Sequence, residues 1–388
     1  MASKEIVPHY PTQNDENFVR DSLHQLFSAS IKYCRYLGLT IFSLNSRGEL
    51  YFGFFTIPFI LVNLRFLSIT LAILYFHFNK DKFDLIYPER SKTERLAQYF
   101  VSCTMMIGDF LCTFCTILLN RSKIIRFHQN LAEFLVKAVG PLTEANKQVI
   151  KSIIPQALKI LGRYKCILIS AFCYSVVAGY ISVFNAFITS GKPWQWWSHT
   201  IVGIPLFNIF WAAVSTLRLF PRILMITLFH TFSFCPYILN MQLEKVKKVE
   251  KVDDEDIRRL LSYFRKEGEL TAQMNDAYGW CLAVDVVLII ISIITAVFSV
   301  VVFLVHKELG AAITFGVPLI IHVAILFELF NSAYGFESEI LMQQAMLLSQ
   351  PFAVKPGSFF HANRRTLTGI ASAINTYVIV LVQFHKEE

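Results

Sequence analysis

Residues near the end of the chain have the types and spacing that suit the lining of a water-filled pore. Thr376 and Tyr377 are followed by apolar residues as far as Gln383, about two helical turns away. A polar side chain inside a membrane is unfavourable unless it meets another helix or water. We expect one helical stripe to carry Thr376, Tyr377, Val380 and Gln383, so the predicted chemistry is passage of ions or water.

The sequence carries no motif of an enzyme active site. It contains no Gly-rich phosphate loop, no HExxH and no GxSxG. Cys112 and Cys115 form a CxxC, but they lie in an apolar segment without a second pair, which favours packing over metal binding. We therefore predict no catalytic residue, no metal and no cofactor.

Composition excludes a soluble globular protein. Hydrophobic residues make up 54% of the chain, charged residues 16%, and the mean hydropathy is +0.48. The first 25 residues are polar and lack a signal-peptide pattern, so we expect the first apolar span to be an uncleaved anchor. The distribution of the net charge of +8 favours membrane lipid over nucleic acid as the surroundings.

Seven apolar stretches are long enough to cross a hydrocarbon core of about 30 Å. The fourth is long enough for two spans, and Pro221 could kink it, but we treat it as one. The predicted fold is a single all-α membrane domain over 1–388. Its spans are 51–77, 98–120, 164–188, 201–242, 279–305, 311–333 and 366–385.

The positions of lysine and arginine predict the orientation. With the N-terminus in the cytoplasm, 24 of them lie in inside segments and 8 in outside segments. The C-terminus is then extracellular, which is the inverse of a G-protein-coupled receptor. The predicted cytoplasmic segments are 1–50, 121–163, 243–278 and 334–365.

Three inside stretches have apolar residues at helical spacing. They are 124–136 (Ile124, Phe127, Leu131, Phe134 and Leu135), 256–274 (Ile257, Leu260, Leu261, Phe264 and Leu270) and 338–350 (Ile340, Leu341, Ala345, Leu347 and Leu348). Such helices could lie on the membrane surface. They could also continue the membrane helices into a packed cytoplasmic domain, which is the interpretation we favour.

Polar and aromatic residues within the spans are candidates for a ligand pocket. Asp109 is the most isolated charge, and it either contacts a ligand or pairs with another helix. Arg222 is interpreted as snorkelling to the cytoplasmic interface, and Asp285 as either forming a structural pair or lining a vestibule. Ring faces with a few hydroxyl and amide groups suit small organic molecules. The remaining pocket candidates are Tyr180, Asn185, Phe207, Asn208, Trp211, Ser215, Thr314 and His322.

The C-terminal pattern resembles the signature of the insect gustatory receptor family. Thr376-Tyr377, five apolar residues and Gln383-Phe384 match that signature, and 357–367 looks like the approach to the family's last helix. The resemblance implies four subunits around a central cation pore, a cytoplasmic anchor domain and a split last helix. The two halves of that helix would be 338–350 and 366–385.

The resemblance also implies roles for single residues. Val380 would be the apolar constriction that blocks ions by dewetting, and Gln383 would form a polar ring one turn outward. Tyr377 would brace the adjoining helix or line the pore. The implied protein is a tastant-gated, poorly selective cation channel in the plasma membrane of sensory dendrites, with no need for a G protein. It would act as a homotetramer or with related subunits.

Other functions stay open at this stage. A family member that senses internal nutrients, temperature or light would share the same pore. A transporter would show saturable flux without unitary currents, and a G-protein-coupled receptor would have an extracellular N-terminus. The residues do not separate sugars, bitter compounds, amino acids and carbon dioxide as ligands.

Overall fold

A computed structural model gives the fold of the chain, which is almost entirely helical apart from one short hairpin. It describes 42–44, 50–52, 57–78, 119–138, 254–305, 309–347 and 364–387. It also describes residues 108 and 361 and scattered positions within 13–22, 151–177 and 222–240. All structural statements below concern the residues in these two sets. The helices are α1 (Ile57–Phe78), α2 (Arg121–Ala138), α3 (Asp254–Val305), α4 (Leu309–Leu347) and α5 (Arg364–Glu387).

The longest element is α3, a continuous helix of 52 residues that packs against α2, α4 and α5. At 1.5 Å per residue it is about 78 Å long, so it exceeds a bilayer core of about 30 Å. Its charged residues all lie between Asp254 and Asp285, and the run after Asp285 is apolar. The favoured prediction for 256–274 is therefore confirmed in one respect, because this amphipathic stretch and the fifth predicted span form one helix.

The first half of α3 packs against α2 and the helical positions within 222–240. The apolar face predicted for α2 is buried throughout, with Phe127 and Leu131 fully enclosed. The ring of Phe127 lies 5.9 Å from that of Phe232 and 6.1 Å from that of Tyr278. Burial lowers the pKa of His128 to about 4, and its Nε2 is hydrogen-bonded to the Tyr278 hydroxyl at 2.8 Å. The N-terminal half of α3 thus belongs to a packed helical cluster.

The start of the first helix differs from the prediction, because α1 begins at Ile57, whereas the first span was predicted to begin at 51. Helix α4 runs without interruption to Leu347, so it joins the predicted span 311–333 to the predicted cytoplasmic stretch from 338. The favoured prediction of continuous helices is therefore confirmed here in the same respect as for 256–274. The helix continues because no proline occurs between Pro318 and Pro351.

Two helices in the described part of the chain are long and apolar enough to cross a membrane. They lie within Ile257–Val305 and Arg365–Gln383, and Leu319–Gly335 is a shorter apolar helix. In the C-terminal half of α3, Ser292 and Thr295 donate hydrogen bonds to backbone carbonyls four residues earlier, both at 2.7 Å. These hydroxyls are satisfied within their own helix, as an apolar environment requires.

A β-hairpin precedes α1 and was missed by the all-α prediction. Strands β1 (Phe42–Leu44) and β2 (Leu50–Phe52) are antiparallel, with Phe42 opposite Phe52. Phe42 and Leu50 are buried, and the Arg121 guanidinium lies 5.4 Å from the centre of the Phe52 ring. The hairpin therefore packs where α2 begins.

We expect Phe127→Ala to lower the free energy of unfolding by about 3–5 kcal/mol, because the ring is enclosed and its loss leaves a cavity. The control is Gln129→Ala on the exposed face of α2, which we expect to change stability by less than about 0.5 kcal/mol. The measurement is the midpoint of thermal unfolding of the detergent-solubilised chain. Equal midpoints for the two variants would contradict the packing described for α2.

Candidate pore helix and buried ion pair

Helix α5 has one face that packs on the rest of the chain. Leu367, Ile370 and Ile374 lie against the core, and Val378 is 9% exposed. These positions are three or four residues apart, so they form a single stripe along the helix. The stripe fixes the rotation of α5 about its own axis.

The opposite face of α5 is exposed and partly polar. Residues of a helix are separated by about 100°, which places Thr376, Val380 and Gln383 roughly opposite the core-facing stripe. Thr376 and Gln383 are exposed, and Val380 is 38% exposed. The Thr376 hydroxyl donates a hydrogen bond to the Ser372 carbonyl at 3.1 Å, so it is satisfied within the helix. Gln383 has a side-chain amide on a face that its own subunit leaves uncovered.

Tyr377 does not share this stripe, although the sequence analysis placed it there. It follows Thr376 directly and is therefore about 100° away around the helix. Its ring is 61% exposed on the flank between the core-facing stripe and the outward face. A flank position suits contact with a neighbouring helix better than the centre of a pore.

The most buried charged contact in the described residues joins Arg222 to α3. The Arg222 Nε lies 2.9 Å from Asp285 Oδ1 and 2.8 Å from Oδ2. Arg222 is only 1% exposed, so its side chain does not extend to water, and the interpretation that it snorkels is wrong. The expected structural pairing of Asp285 is confirmed. A buried guanidinium needs a counter-charge, and the Asp285 carboxylate on α3 supplies it.

The pair leaves part of the guanidinium unsatisfied. Arg222 Nη1 and Nη2 are buried, and neither has a hydrogen-bond partner within the described structure. Buried donors without acceptors carry a desolvation cost, so this contact specifies the position of α3 more than it stabilises the fold.

The predicted ligand residues fall mostly outside the described residues. These are Asp109, Tyr180, Asn185, Phe207, Asn208, Trp211 and Ser215. Thr314 lies in α4, and His322 is buried there at 8% exposure. Gly108, next to Asp109, lies so close to Leu288 that a Cβ would be 2.2 Å from Leu288 Cδ1. This contact brings the backbone before Asp109 directly against α3.

Sequence reasoning missed the burial of Glu267 and the burial of Arg222 against Asp285. The apolar face predicted for 256–274 included Ile257 and Leu261, which are exposed, and omitted Glu267, which is fully buried. The buried stripe runs through Leu260, Phe264, Glu267, Thr271 and Met274. The three-and-four spacing through Phe264 and Met274 could have identified Glu267. The opposite charges of Arg222 and Asp285 within apolar runs were the signal for the other site.

The described residues contain no group of three His, Cys, Asp or Glu side chains that could hold a metal ion. The side chains available for chemistry are therefore the exposed amide of Gln383, the buried pair and the buried Glu267 carboxyl. An exposed amide on an apolar helix can interact with water, ions or a neighbouring subunit.

Comparisons with known proteins agree with this arrangement. Residues 339–388 match the family model described as 7tm chemosensory receptor. The sequence matches none of the curated proteins. The fold is similar to that of the insect olfactory receptor OR5 from Machilis hrabei, with a TM-score of 0.64 and 13% identity over 94% of this chain and 100% of that chain. The same receptor in complex with eugenol gives a TM-score of 0.60 at the same identity and coverage.

The chain thus has the helical fold of an insect olfactory receptor. The match to the family model covers α5 and the end of α4, where the exposed polar face lies. Together these findings show that the chain is similar to chemosensory receptors in its C-terminal 50 residues and to an insect olfactory receptor in its fold.

We expect Asp285→Asn to destabilise the fold by about 3–5 kcal/mol, because it leaves the buried Arg222 without a counter-charge. The matched control is Asp276→Asn in the same helix. Asp276 pairs with Lys123 at 2.7 Å on the surface, and we expect its loss to cost less than about 1 kcal/mol. Thermal unfolding in detergent measures both.

Replacing both partners at once distinguishes the effect of an unpaired buried charge on stability from the effect of lost packing. Arg222→Met combined with Asp285→Leu should recover much of the stability lost in Asp285→Asn, because no unpaired charge stays buried. A similar loss in Asp276→Asn and Asp285→Asn would show that the buried pair has no special role.

Proposed function

We propose that the chain is a gustatory receptor that acts as a ligand-gated, poorly selective cation channel in the plasma membrane. The observation that carries the proposal is the division of α5 into a face packed on its own subunit and an exposed face with Thr376, Val380 and Gln383. The resemblance of the Thr376–Phe384 segment to the gustatory signature favours the gustatory branch.

The exposed face of α5 needs a partner other than lipid. An uncovered glutamine amide in hydrocarbon is unfavourable because its donors and acceptors lose water without replacement. Assembly of several copies around an axis would turn Gln383 toward an aqueous channel and satisfy the amide with water. We propose a tetramer of this chain, or a tetramer shared with related subunits.

Val380 and Gln383 divide the proposed pore into a gate and a polar ring. A ring of valine side chains at the narrowest point excludes water, and ions do not pass a dry constriction. Gln383 lies about one turn farther along α5 and would contact permeating hydrated cations. Thr376 lies one turn before Val380 on the same face.

Ligand binding would open the gate by favouring a state in which the α5 helices stand farther apart. The ligand must bind this open state more tightly than the closed one, since equal affinity shifts no equilibrium. We propose a small organic tastant, bound among the outer halves of the helices near the predicted pocket residues. The eugenol complex of the similar olfactory receptor is consistent with a small aromatic or polar ligand.

The first test is outside-out patch recording from cells that express this chain alone, with a panel of tastants and no GTP in the pipette. Unitary cation currents would support a channel that requires neither a co-subunit nor a G protein. Ligand-dependent signalling that needs GTP and shows no unitary current would contradict the proposal.

We expect Val380→Ala to raise the current without ligand at least several-fold, because a smaller ring is wider and easier to wet. The matched control is Val382→Ala, the same change on a side chain about 160° away around α5. Basal open probability in single-channel recordings is the measurement. Equal basal currents in the two variants would show that Val380 is not part of the gate.

Substitution of Gln383 should change ion selectivity. We expect Gln383→Glu to raise the permeability of calcium relative to sodium, because a ring of carboxylates attracts divalent cations more strongly than a ring of amides. Gln383→Ala should change the ratio less. Reversal potentials under bi-ionic conditions give the ratios, and identical potentials in the wild type and Gln383→Glu would place this residue outside the pore.

A further inference from the structure

Glu267 is a carboxyl group enclosed in the helical cluster formed by α2, the first half of α3 and the positions within 222–240. It is 0% exposed, and Oε1 and Oε2 have no hydrogen-bond partner within the described structure. The nearby Thr271 hydroxyl donates to the Glu267 backbone carbonyl at 3.0 Å and not to the carboxyl oxygens. The side chain is therefore enclosed and unpaired.

The surroundings of Glu267 are apolar. Phe264, Leu270 and Met274 are buried beside it on α3, and Phe232 and Leu239 are enclosed on the 222–240 segment. An ionised carboxylate without a partner in such a core is strongly unfavourable. Burial accordingly raises the pKa of Glu267 to about 8, so the group is mostly neutral at pH 7.

The charged and titratable groups nearby do not offset this burial. From the 222–240 segment the facing group is the Cys235 thiol, and a negative charge on either group opposes one on the other. On α2, Glu133 and Lys137 pair with each other at the surface, and His128 bonds to Tyr278. On α3, Lys266 and Arg265 are exposed and lie near Glu269.

We propose that Glu267 is an alkaline-sensitive switch in this cluster. With its proton bound, the carboxyl group stays in the core and α3 packs against Cys235 and the other described positions within 222–240. When the proton is lost to water, the carboxylate must become hydrated, and α3 separates from Cys235 at this level. Residues 243–278 are predicted to lie in the cytoplasm, so the cytosol is the compartment whose pH would be sensed. The inference rests on the predicted orientation in this respect only.

The sign and the pH window follow from the difference between the packed and hydrated states. A hydrated glutamate has a pKa near 4.5, whereas burial raises the pKa of Glu267 to about 8. The contribution of the neutral group to stability is complete below about pH 4.5 and is lost as the pH rises through 8. Separation therefore increases by up to about tenfold per pH unit within this window and levels off above it.

Cys235 is a built-in reporter of this separation, because its side chain is fully buried when the cluster is packed. The experiment measures the rate at which N-ethylmaleimide labels Cys235 in the purified full chain in detergent, by peptide-resolved mass spectrometry at pH 6, 7 and 8. The variants are Glu267→Gln, which keeps the shape of the neutral carboxyl, and the control Glu269→Gln on the exposed face of α3.

We expect the ratio of the wild-type rate to the Glu267→Gln rate to rise by roughly tenfold or more between pH 6 and pH 8. Division by the variant removes the intrinsic reactivity of the thiol, which also grows with pH. The direct effect of the Glu267 charge has the opposite sign, since it disfavours the reactive thiolate. Glu269→Gln should behave as the wild type.

A constant ratio between the wild type and Glu267→Gln would overturn the proposal. So would failure of Glu267→Gln to fold, because the amide reproduces the neutral group that the core is proposed to hold. The measurement needs no current and no ligand. A chain that is silent in patch recording but shows the expected ratio would therefore contradict only the proposed channel function.

Discussion

The fold depends on one helix that must satisfy two different environments. The first half of α3 is amphipathic and packs into a cluster with α2 and the 222–240 positions, whereas its second half is apolar enough to cross a membrane. A helix can do both because its backbone hydrogen bonds are internal, so only the side-chain pattern has to change along its length. The change occurs near Asp285, where the carboxylate meets the buried Arg222. This ion pair therefore lies where the charged half of α3 gives way to the apolar half.

Helix α5 also meets two different environments, one on each face. Its core-facing stripe of leucine and isoleucine residues holds the helix on α3 and α4, and this leaves Thr376, Val380 and Gln383 on the face that the subunit does not cover. The two faces have separate requirements, since the first needs apolar contact and the second needs water or another copy. A single chain satisfies only the first. The proposed assembly around an axis follows from the second requirement.

Periodicity predicted the parts of the fold in which one face is buried. The apolar positions of α2 were identified residue by residue, and the continuity of 256–274 with the next span was the favoured one of two alternatives. The hairpin at 42–52 was missed because its apolar residues merge into the first span, although Asn45 and Gly48 between the strands are typical turn residues. Arg222 was misplaced because a sequence window does not show that Asp285 lies opposite it, 63 positions away. The rotation of Tyr377 away from Gln383 follows from helix geometry alone and was available from the sequence.

The absence of a proline from Asp254–Val305 has a mechanical consequence. A continuous helix about 78 Å long transmits a change of direction along its whole length, and a tilt of about 5° moves one end by roughly 7 Å relative to the other. Small displacements among the outer side chains can therefore become large ones at the cluster around Phe127 without any change in local structure. Helix α4 contains Pro318, which has no backbone N–H and so removes one hydrogen bond from the helix. Proline is the common site of helix kinks, so we expect bending of this pair of neighbours to occur in α4 and not in α3.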